Sequence, residues 1–536
     1  MSGAHKYQAE STTRQPDAEM PPHVRALLSP RAYPHPADDI RLHETHISWV
    51  VLAGAYAYKI KKPVNLGFLD FSTSAQRLTA CADEVRLNRR LSPDIYLGIV
   101  DLVEREDGYF VGGPGRPVEP AVWMRRLPEA GMLPNLLEAD AVDSRLVRSI
   151  ARRIARFHAH AATGSGVDEY GSLDTVHANW EENFAQMAPF VDRIIPATLN
   201  QAIAAFVERF LTAQAAMLER RVAQGRIRDG HGDLHAASIC VIGGRPHFFD
   251  CLEFNARFRC ADVAAEVAFL AMDFAHYGRA DLAQVFVDAY FRVSGDGEVA
   301  QLLDFYACYR AYVRGKVRCL RLFESGLPAT EQQRLGTEAR TYFDLAWSYA
   351  GGLPRPLLVV TMGLPASGKS SLARALAGRL GLVHLSSDVV RKHLAGMKPT
   401  ERGDGGVNEG LYAPARSRQT YAALRRRAAR WLRLGRSVVL DATFGREEER
   451  ARVRRLATRL SVPLIVLVCR ADEAIIRARL VARAQRPLEV SDARLEHWPA
   501  LRAAFSEPDE MPNAVTIGSG TSIERAVDEA LAALRG

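Results

Sequence analysis

The sequence predicts two domains: an α+β first half, and an α/β second half built on a parallel sheet with helices on both faces. Three observations predict this. The chain has 536 residues, more than one hydrophobic core organises. Residues 363–370 read GLPASGKS, between an apolar β-branched run (PLLVVTM, 356–362) and a stretch with helical apolar spacing and a glycine stop (SLARALAGRLG, 371–381). Beyond that point strands and helices alternate, whereas the first half opens with short strands and turns helical later.

Residues 1–35, rich in Pro, Ser, Thr, His and charge, read as a flexible lead-in to a domain over 36–349. ISWVVLAGAYAYKI (47–60) predicts two strands around a glycine turn, and AQRLTACADEVRLNRRL (75–91) a helix. IYLGIVDLVER, GYFVGG and AVWMRRL (121–127) predict further strands. The pattern is helical over 133–222, returns to short strands and loops at 226–250, and is helical again over 261–348. AGGLPRP (350–356), with two glycines and two prolines, marks a linker to a second domain at 357–536. Its strands are expected at 357–362, 382–386, 437–441, 463–469 and 514–517, with helices between them.

Apolar content of 48% and charged content of 25% are ordinary for a soluble globular protein. No early basic stretch precedes an apolar core, and no uncharged apolar run spans a bilayer, so a cytoplasmic protein without membrane segments is expected. Seven scattered cysteines, without a C-x-x-C pair, argue against a disulfide framework or a zinc site. The net charge of +8 is carried by arginine, for there are only eight lysines. Where arginine is the default cation, each lysine is a position to examine; one lies in GLPASGKS and three cluster at 59–62.

GLPASGKS is a complete G-x-x-x-x-G-K-[ST] loop in the strand–loop–helix context its chemistry requires. Gly363 and Gly368 let the backbone curl so that the N–H groups of Leu364, Pro365-flanking Ala366, Ser367 and Ser371 turn towards phosphate oxygens at a helix N-terminus. Lys369 reaches the β/γ-phosphates of a nucleotide, and the Ser370 hydroxyl holds Mg²⁺. SVVLDAT (437–443) ends an apolar strand in Asp441, the position of a carboxylate that orients magnesium. LSSDVVRKHL (385–394) puts Asp388 at the end of the second strand, placed to bind an acceptor hydroxyl and take its proton, with Arg391 nearby for an anionic acceptor. In RARLVARAQRP (477–487), Arg479 and Arg483 share one helical face and would close as a lid on the transferring phosphate. With these motifs, residues 357–535 resemble the P-loop kinases of the gluconate-kinase, zeta-toxin and polynucleotide-kinase group. Eight arginines between 416 and 436 lie on one predicted helix; a solvated basic face is preferred over a nucleic-acid groove, because few aromatics interleave.

In the first half, HGDLHAAS (231–238) is followed by HFFD (247–250): a loop aspartate, a short hairpin, then a second aspartate closing an apolar strand. This order resembles the catalytic loop and metal-binding aspartate of the protein-kinase-like fold, in particular the aminoglycoside phosphotransferase family, over roughly 40–340. The resemblance implies that Asp233 is the catalytic base and that Asp250 holds Mg²⁺ on ATP. It implies that a lysine of YAYKIKK (56–62) meets the α/β-phosphates. Lys59 is the best match, Lys61 shares its strand face, and Glu84 would be the ion-pair partner. AVWMRRL would be the hinge at the adenine. The family's asparagine ligand for a second metal is replaced by Ser238, a shorter oxygen donor. The whole chain thus looks like a fusion of an aminoglycoside-phosphotransferase-like domain with a P-loop kinase domain: an ATP- and Mg²⁺-dependent enzyme phosphorylating hydroxyl groups of small molecules in both halves. The alternative makes the first half a non-catalytic binding module attached to a P-loop kinase or ATPase, one that could act on nucleic-acid ends.

Overall fold

A computed structural model describes residues 20–535, except 66–68, 324–325, 399–400, 402, 404–408, 485–489, 519 and 521. Two compact units form: residues up to 273 with 284–346, and 274–283 with the residues from 347 onward.

The first unit carries an antiparallel sheet of β1 (Arg41–Glu44), β2 (Ser48–Ala53), β3 (Tyr56–Lys61), β4 (Tyr96–Arg105), β5 (Gly108–Val111) and β6 (Arg116–Arg125), in the order β1-β2-β3-β6-β4-β5. Gly54, at φ +55°, makes the β2–β3 turn; a Cβ there would meet the Pro36 carbonyl oxygen at 2.3 Å, so only glycine fits. Strand alternation then divides β3. Tyr58 and Ile60 join a core with Val51, Leu102 and Ala121, while Lys59 and Lys61 look to the other face. That face is covered by the helix Ser74–Arg89, whose Cys81 and Val85 pack on Tyr96 and Val122. A capping box of Thr73 and Gln76 starts this helix.

The lead-in expected at 1–35 needs correcting where it is described. Residues 1–19 lie outside the described residues. From Met20 on, however, Pro22–Ala26 is a helical turn, and Val24, Leu27, Ala32 and Tyr33 are buried in the sheet's core. Proline in the first turn suits a helix start, and four apolar anchors outweigh the polar composition that suggested a loose segment.

Beyond the sheet come long helices, among them Ser144–His160, Leu173–Met187, Ala197–Ala223 and Val299–Arg321. Between them lie the short strands β7 (Ile227–Asp229), β8 (Ile239–Ile242), β9 (Arg245–Phe248) and β10 (Cys260–Asp262), pairing β8 with β9 and β7 with β10.

The second unit holds five strands at the expected places: β11 (Leu358–Met362), β12 (Val383–Ser386), β13 (Val438–Asp441), β14 (Leu464–Arg470) and β15 (Val515–Gly518). All neighbours are parallel, in the order β12-β13-β11-β14-β15. Every residue of β11 and β13 is buried, as in a sheet covered on both faces. Leu358, Val360 and Met362 pack with Leu424, Leu432 and Leu456 of the helices Pro414–Arg433 and Glu447–Leu460. The basic helix 414–433 thus buries one side of itself. Arg425 pairs with Glu449, while Arg426, Arg430 and Arg433 are exposed. All seven cysteines of the chain are unpaired and buried, as small apolar residues are. No described helix is long and apolar enough to cross a membrane.

Candidate active sites

In the first unit four distant segments converge. Lys59 Nζ donates to Glu84 Oε1 and to Asp250 Oδ1, at 2.8 Å each. Burial works against this ammonium, but Asp250 and Glu84 outweigh it and hold the Lys59 pKa well above its usual value. Lys61 is enclosed instead between Glu84 and Glu253, at 2.6 Å from the latter. Of the two lysines left open by the sequence, Lys59 is therefore the one beside Asp250.

Asp250 sits at φ +64°, a conformation that non-glycine residues adopt only when their surroundings fix it. The surroundings are explicit. Its N–H donates to the Tyr96 hydroxyl at 3.0 Å, the next N–H to Asn88 Oδ1 at 2.9 Å, and Phe248 N–H to Ser92 Oγ at 2.9 Å. The helix that supplies Glu84, and the turn after it, thus also set the loop that presents Asp250.

Asp233 is buried in the loop after β7. Gly232, at φ +81°, leaves no room for a Cβ against the Arg259 backbone. The loop hangs on Glu266, which accepts the N–H groups of His231 and Gly232 and pairs with His158 at 2.8 Å. Burial pushes the Glu266 carboxyl up, but His158, His231 and the Gly232 N–H bring it down to about 2. His231 Nδ1 accepts the Asp233 N–H while Nε2 faces the Phe249 carbonyl at 3.1 Å, which suits the neutral ring that burial favours. Asp233 Oδ2 lies 3.6 Å from His235 Nε2, too far for a hydrogen bond but close enough for attraction. Burial raises the Asp233 pKa; His235 and Arg314 overcome this and leave it below the ordinary carboxylate value. Asp233 Oδ1 is buried without a hydrogen-bond partner among the described residues. A buried carboxylate oxygen left bare in this way is suited to receiving a proton or a ligand. Ser238 Oγ donates to the His235 carbonyl at 2.8 Å and accepts the His235 N–H at 3.1 Å, so it closes the loop on itself.

In the second unit the loop 363–370 bridges β11 and the helix Lys369–Leu380. Gly363 (φ +143°) passes so close to the Cys469 carbonyl that a Cβ would lie 2.5 Å from it, and Gly368 takes φ +90°. Ala366 also has a positive φ of 63°; its side chain packs with Leu364 against Ile476, Leu480 and Trp498. Parallel register sets Asp441 beside Thr361 and Ser386, at the carboxyl ends of β11 and β12. Ser370 Oγ donates to Asp441 Oδ1 at 3.1 Å, and His384 Nε2 faces Oδ2 at 3.4 Å. Burial raises the Asp441 pKa, and His384, Lys369 and Ser370 reverse the shift. Asp388, in the first turn of the helix Ser387–Leu394, shows the opposite balance. Burial, with Asp441 and Asp492, raises its pKa against Lys369 and Arg391. Arg391 donates to the Leu411 carbonyl and to Ser417 Oγ and covers the Tyr412 ring. In the helix Glu473–Ala484, Arg479 donates to the Ala366 carbonyl at 3.3 Å, tying that helix to the loop. The lid segment expected at 477–487 falls outside the described residues from 485 on.

Sequence reasoning missed Glu253, Glu266 and His384. Their type carries no pattern; only the fold brings them to Lys61, the 231–233 loop and Asp441.

A fold with a strand–phosphate loop–helix unit and a lysine–carboxylate site beside a loop aspartate defines a phosphotransferase-type chain. Comparison with known proteins agrees. Residues 68–359, more than half of the chain, match the phosphotransferase enzyme family, and residues 358–508 match an AAA domain. Proteins of Mycobacterium tuberculosis and Mycobacterium bovis, each described as uncharacterised, are 36% identical over 478 residues, covering 89% of this chain and 92% of theirs. Among solved structures, a gluconokinase from Sinorhizobium meliloti is 20% identical, covers 33% of this chain and 91% of its own, and has a TM-score of 0.26. The Mycobacterium tuberculosis APS kinase CysC, in complex with AMPPNP and APS, is 20% identical, covers 34% and 99%, and has a TM-score of 0.26. The chain belongs to the phosphotransferase enzyme family, with a second, phosphate-loop unit that matches an AAA domain.

Proposed function

We propose that the chain is a bifunctional, ATP- and Mg²⁺-dependent phosphotransferase, with a kinase-like first unit and a P-loop second unit. Each unit moves the γ-phosphate of ATP to a hydroxyl group of a small molecule. One observation carries this reading. Lys59, Glu84 and Asp250 converge in the first unit near a buried aspartate with a bare oxygen, while the second unit holds a complete phosphate loop whose Ser370 donates to Asp441.

The donor sets fit the groups they would hold. Asp250 in the first unit, and Ser370 with Asp441 in the second, offer the hard oxygen ligands that magnesium prefers. Bound Mg²⁺ would supply charge neutralisation on the phosphates. The protein's own residues do the rest. Lys59 orients the α/β-phosphates, and Glu84 orients Lys59. Lys369 and the 363–371 loop cradle the second nucleotide, with Arg479 and Arg483 over the transferring group. Asp233 and Asp388 each accept the proton of an acceptor hydroxyl.

The test is transfer from radiolabelled ATP to a panel of hydroxylated metabolites. Asp233→Asn should remove one set of products and Asp388→Asn another. If Asp233→Asn leaves every product intact, the first unit is not a kinase. One observation favours that second reading: the Ser238 hydroxyl is engaged by its own loop, which leaves Asp250 as the clear metal ligand of the first unit. A single-metal kinase or a nucleotide-binding module would have such a site.

A further inference from the structure

The first unit contains a cavity that neither nucleotide site uses. Its volume is about 90 Å³. That is well above the roughly 10–15 Å³ that admits one water, and leaves room for several waters or a small metabolite. It lies between the helices Leu173–Met187 and Val299–Arg321 and the chain that follows Asp250. Two contacts tie its wall to the catalytic loop. Arg310 donates to the Gly232 carbonyl at 3.3 Å, and Leu252 N–H donates to the His231 carbonyl at 3.0 Å. The 231–233 loop does not itself line the cavity, but Arg310 and Leu252 join the cavity wall directly to the loop that carries Asp233.

The lining is unusual in its charge. Lys316 is one of eight lysines in an arginine-rich chain. Its ammonium is buried and donates to two neutral amide oxygens, Asn183 Oδ1 and Gln186 Oε1, at 2.6 Å each. No carboxylate pairs with it among the described residues. The nearby Glu182 is committed to Arg257, at 2.8 Å. A buried cation without a counter-ion is costly to the fold unless something else supplies the charge. Burial pushes Lys316 down to about 8, with Glu182 and Arg257 acting in opposite senses. Arg310 adds a second cation to the wall, stacked over the Phe269 ring. The indole N–H of Trp180, itself buried in the lining, has no acceptor among the described residues. Unmatched donors and cations with no unpaired acid call for a ligand rich in anionic oxygen.

We infer that this cavity is the acceptor pocket of the first unit and that it selects a small hydroxylated anion, its carboxylate or phosphate on Lys316 and its hydroxyl towards Asp233. This rests on the phosphotransfer reading for the role of the hydroxyl, but the anion site itself does not. A cationic, amino-sugar-like acceptor would be repelled by Lys316 and Arg310.

The experiment is calorimetric titration of the full chain with four three-carbon probes: D-glycerate, sn-glycerol 3-phosphate, glycerol and 3-amino-1,2-propanediol. The inference expects one or both anions to bind and the neutral and cationic probes to bind at least tenfold more weakly. The glycerate and phosphate arms tell which anionic group the pocket takes. Lys316→Met should weaken the bound anion at least tenfold while MgATP binding stays unchanged. Lys316→Gln replaces it if the methionine variant does not fold. The inference is overturned if glycerol or the aminodiol binds as well as the anions, if neither anion binds, or if loss of Lys316 changes nothing. Anion binding that depends on Lys316 without any phosphate transfer would contradict the kinase reading and leave the anion site standing.

Discussion

Each unit sets one aspartate beside its proposed nucleotide site, Asp233 buried and Asp388 half-buried, and the two are tuned in opposite directions. In the first, His235 and Arg314 draw the Asp233 carboxyl below its ordinary value despite burial. In the second, burial and the neighbouring Asp441 and Asp492 lift Asp388 above it, against Lys369 and Arg391. The difference teaches that similar chemistry can be served by different electrostatics. A base flanked by cations stays ionised at low pH but is weaker. A base among other acids is stronger but needs a higher pH to be ready.

The largest expected effect follows from that contrast. A base must be ionised to accept a proton, so rate falls as pH drops through its pKa. Transfer by the second unit, measured in Lys59→Met, should lose its rate in a limb displaced above the ordinary aspartate range. Transfer by the first, measured in Lys369→Ala, should have its limb displaced below that range. Coincident limbs would break the comparison.

The next effect is on the ion-pair chain. Lys59→Met strands Glu84 and Asp250 facing each other's charge, with only Lys61 left on Glu84. Removing one partner of a buried pair costs about 3 kcal/mol or more. The first unit's melting transition should fall accordingly and its MgATP binding should vanish, with the second unit's binding intact.

Glu266 tests whether the 231–233 loop is a built scaffold. Its folded pKa of about 2 lies below its ordinary 4.5. The stability this confers is complete above the ordinary value and lost as pH falls towards 2. The shift corresponds to about 3 kcal/mol. Glu266→Gln should lose most of this contribution at neutral pH and flatten the acid denaturation curve of the first unit.

The smallest effect concerns the basic helix. Arg426→Gln with Arg430→Gln should change stability by less than about 0.5 kcal/mol and leave phosphate transfer unchanged. Salt-sensitive binding of short DNA that disappears in this variant would instead favour a nucleic-acid acceptor for the second unit.

How legible each site was in the sequence depends on how its parts are spread along the chain. The phosphate loop is contiguous, and its glycines announce the positive φ angles that Gly363 and Gly368 adopt. Asp441 and Asp388 follow strands whose apolar runs are plain, so topology alone carries them to the carboxyl edge. Lys59 is preferred over Lys61 only by resemblance, because alternation puts both on one face; the structure sets Lys59 beside Asp250 and Lys61 against Glu253, 192 residues away. The Glu266–His158 pair spans 108 residues and carries no local signature. The lead-in was misread because four buried side chains, spaced among prolines and charges, leave no periodic pattern. The cavity around Lys316 was invisible for the same reason, although the rarity of lysine had marked the position.

The measurement that bears most directly on two working nucleotide sites is the stoichiometry of MgATP binding by calorimetry, in the wild-type chain and in Lys369→Ala. The account predicts two sites in the wild type and one in the variant. One site in the wild type and none in the variant would contradict it, and the first unit would then be a binding module carried by a P-loop kinase.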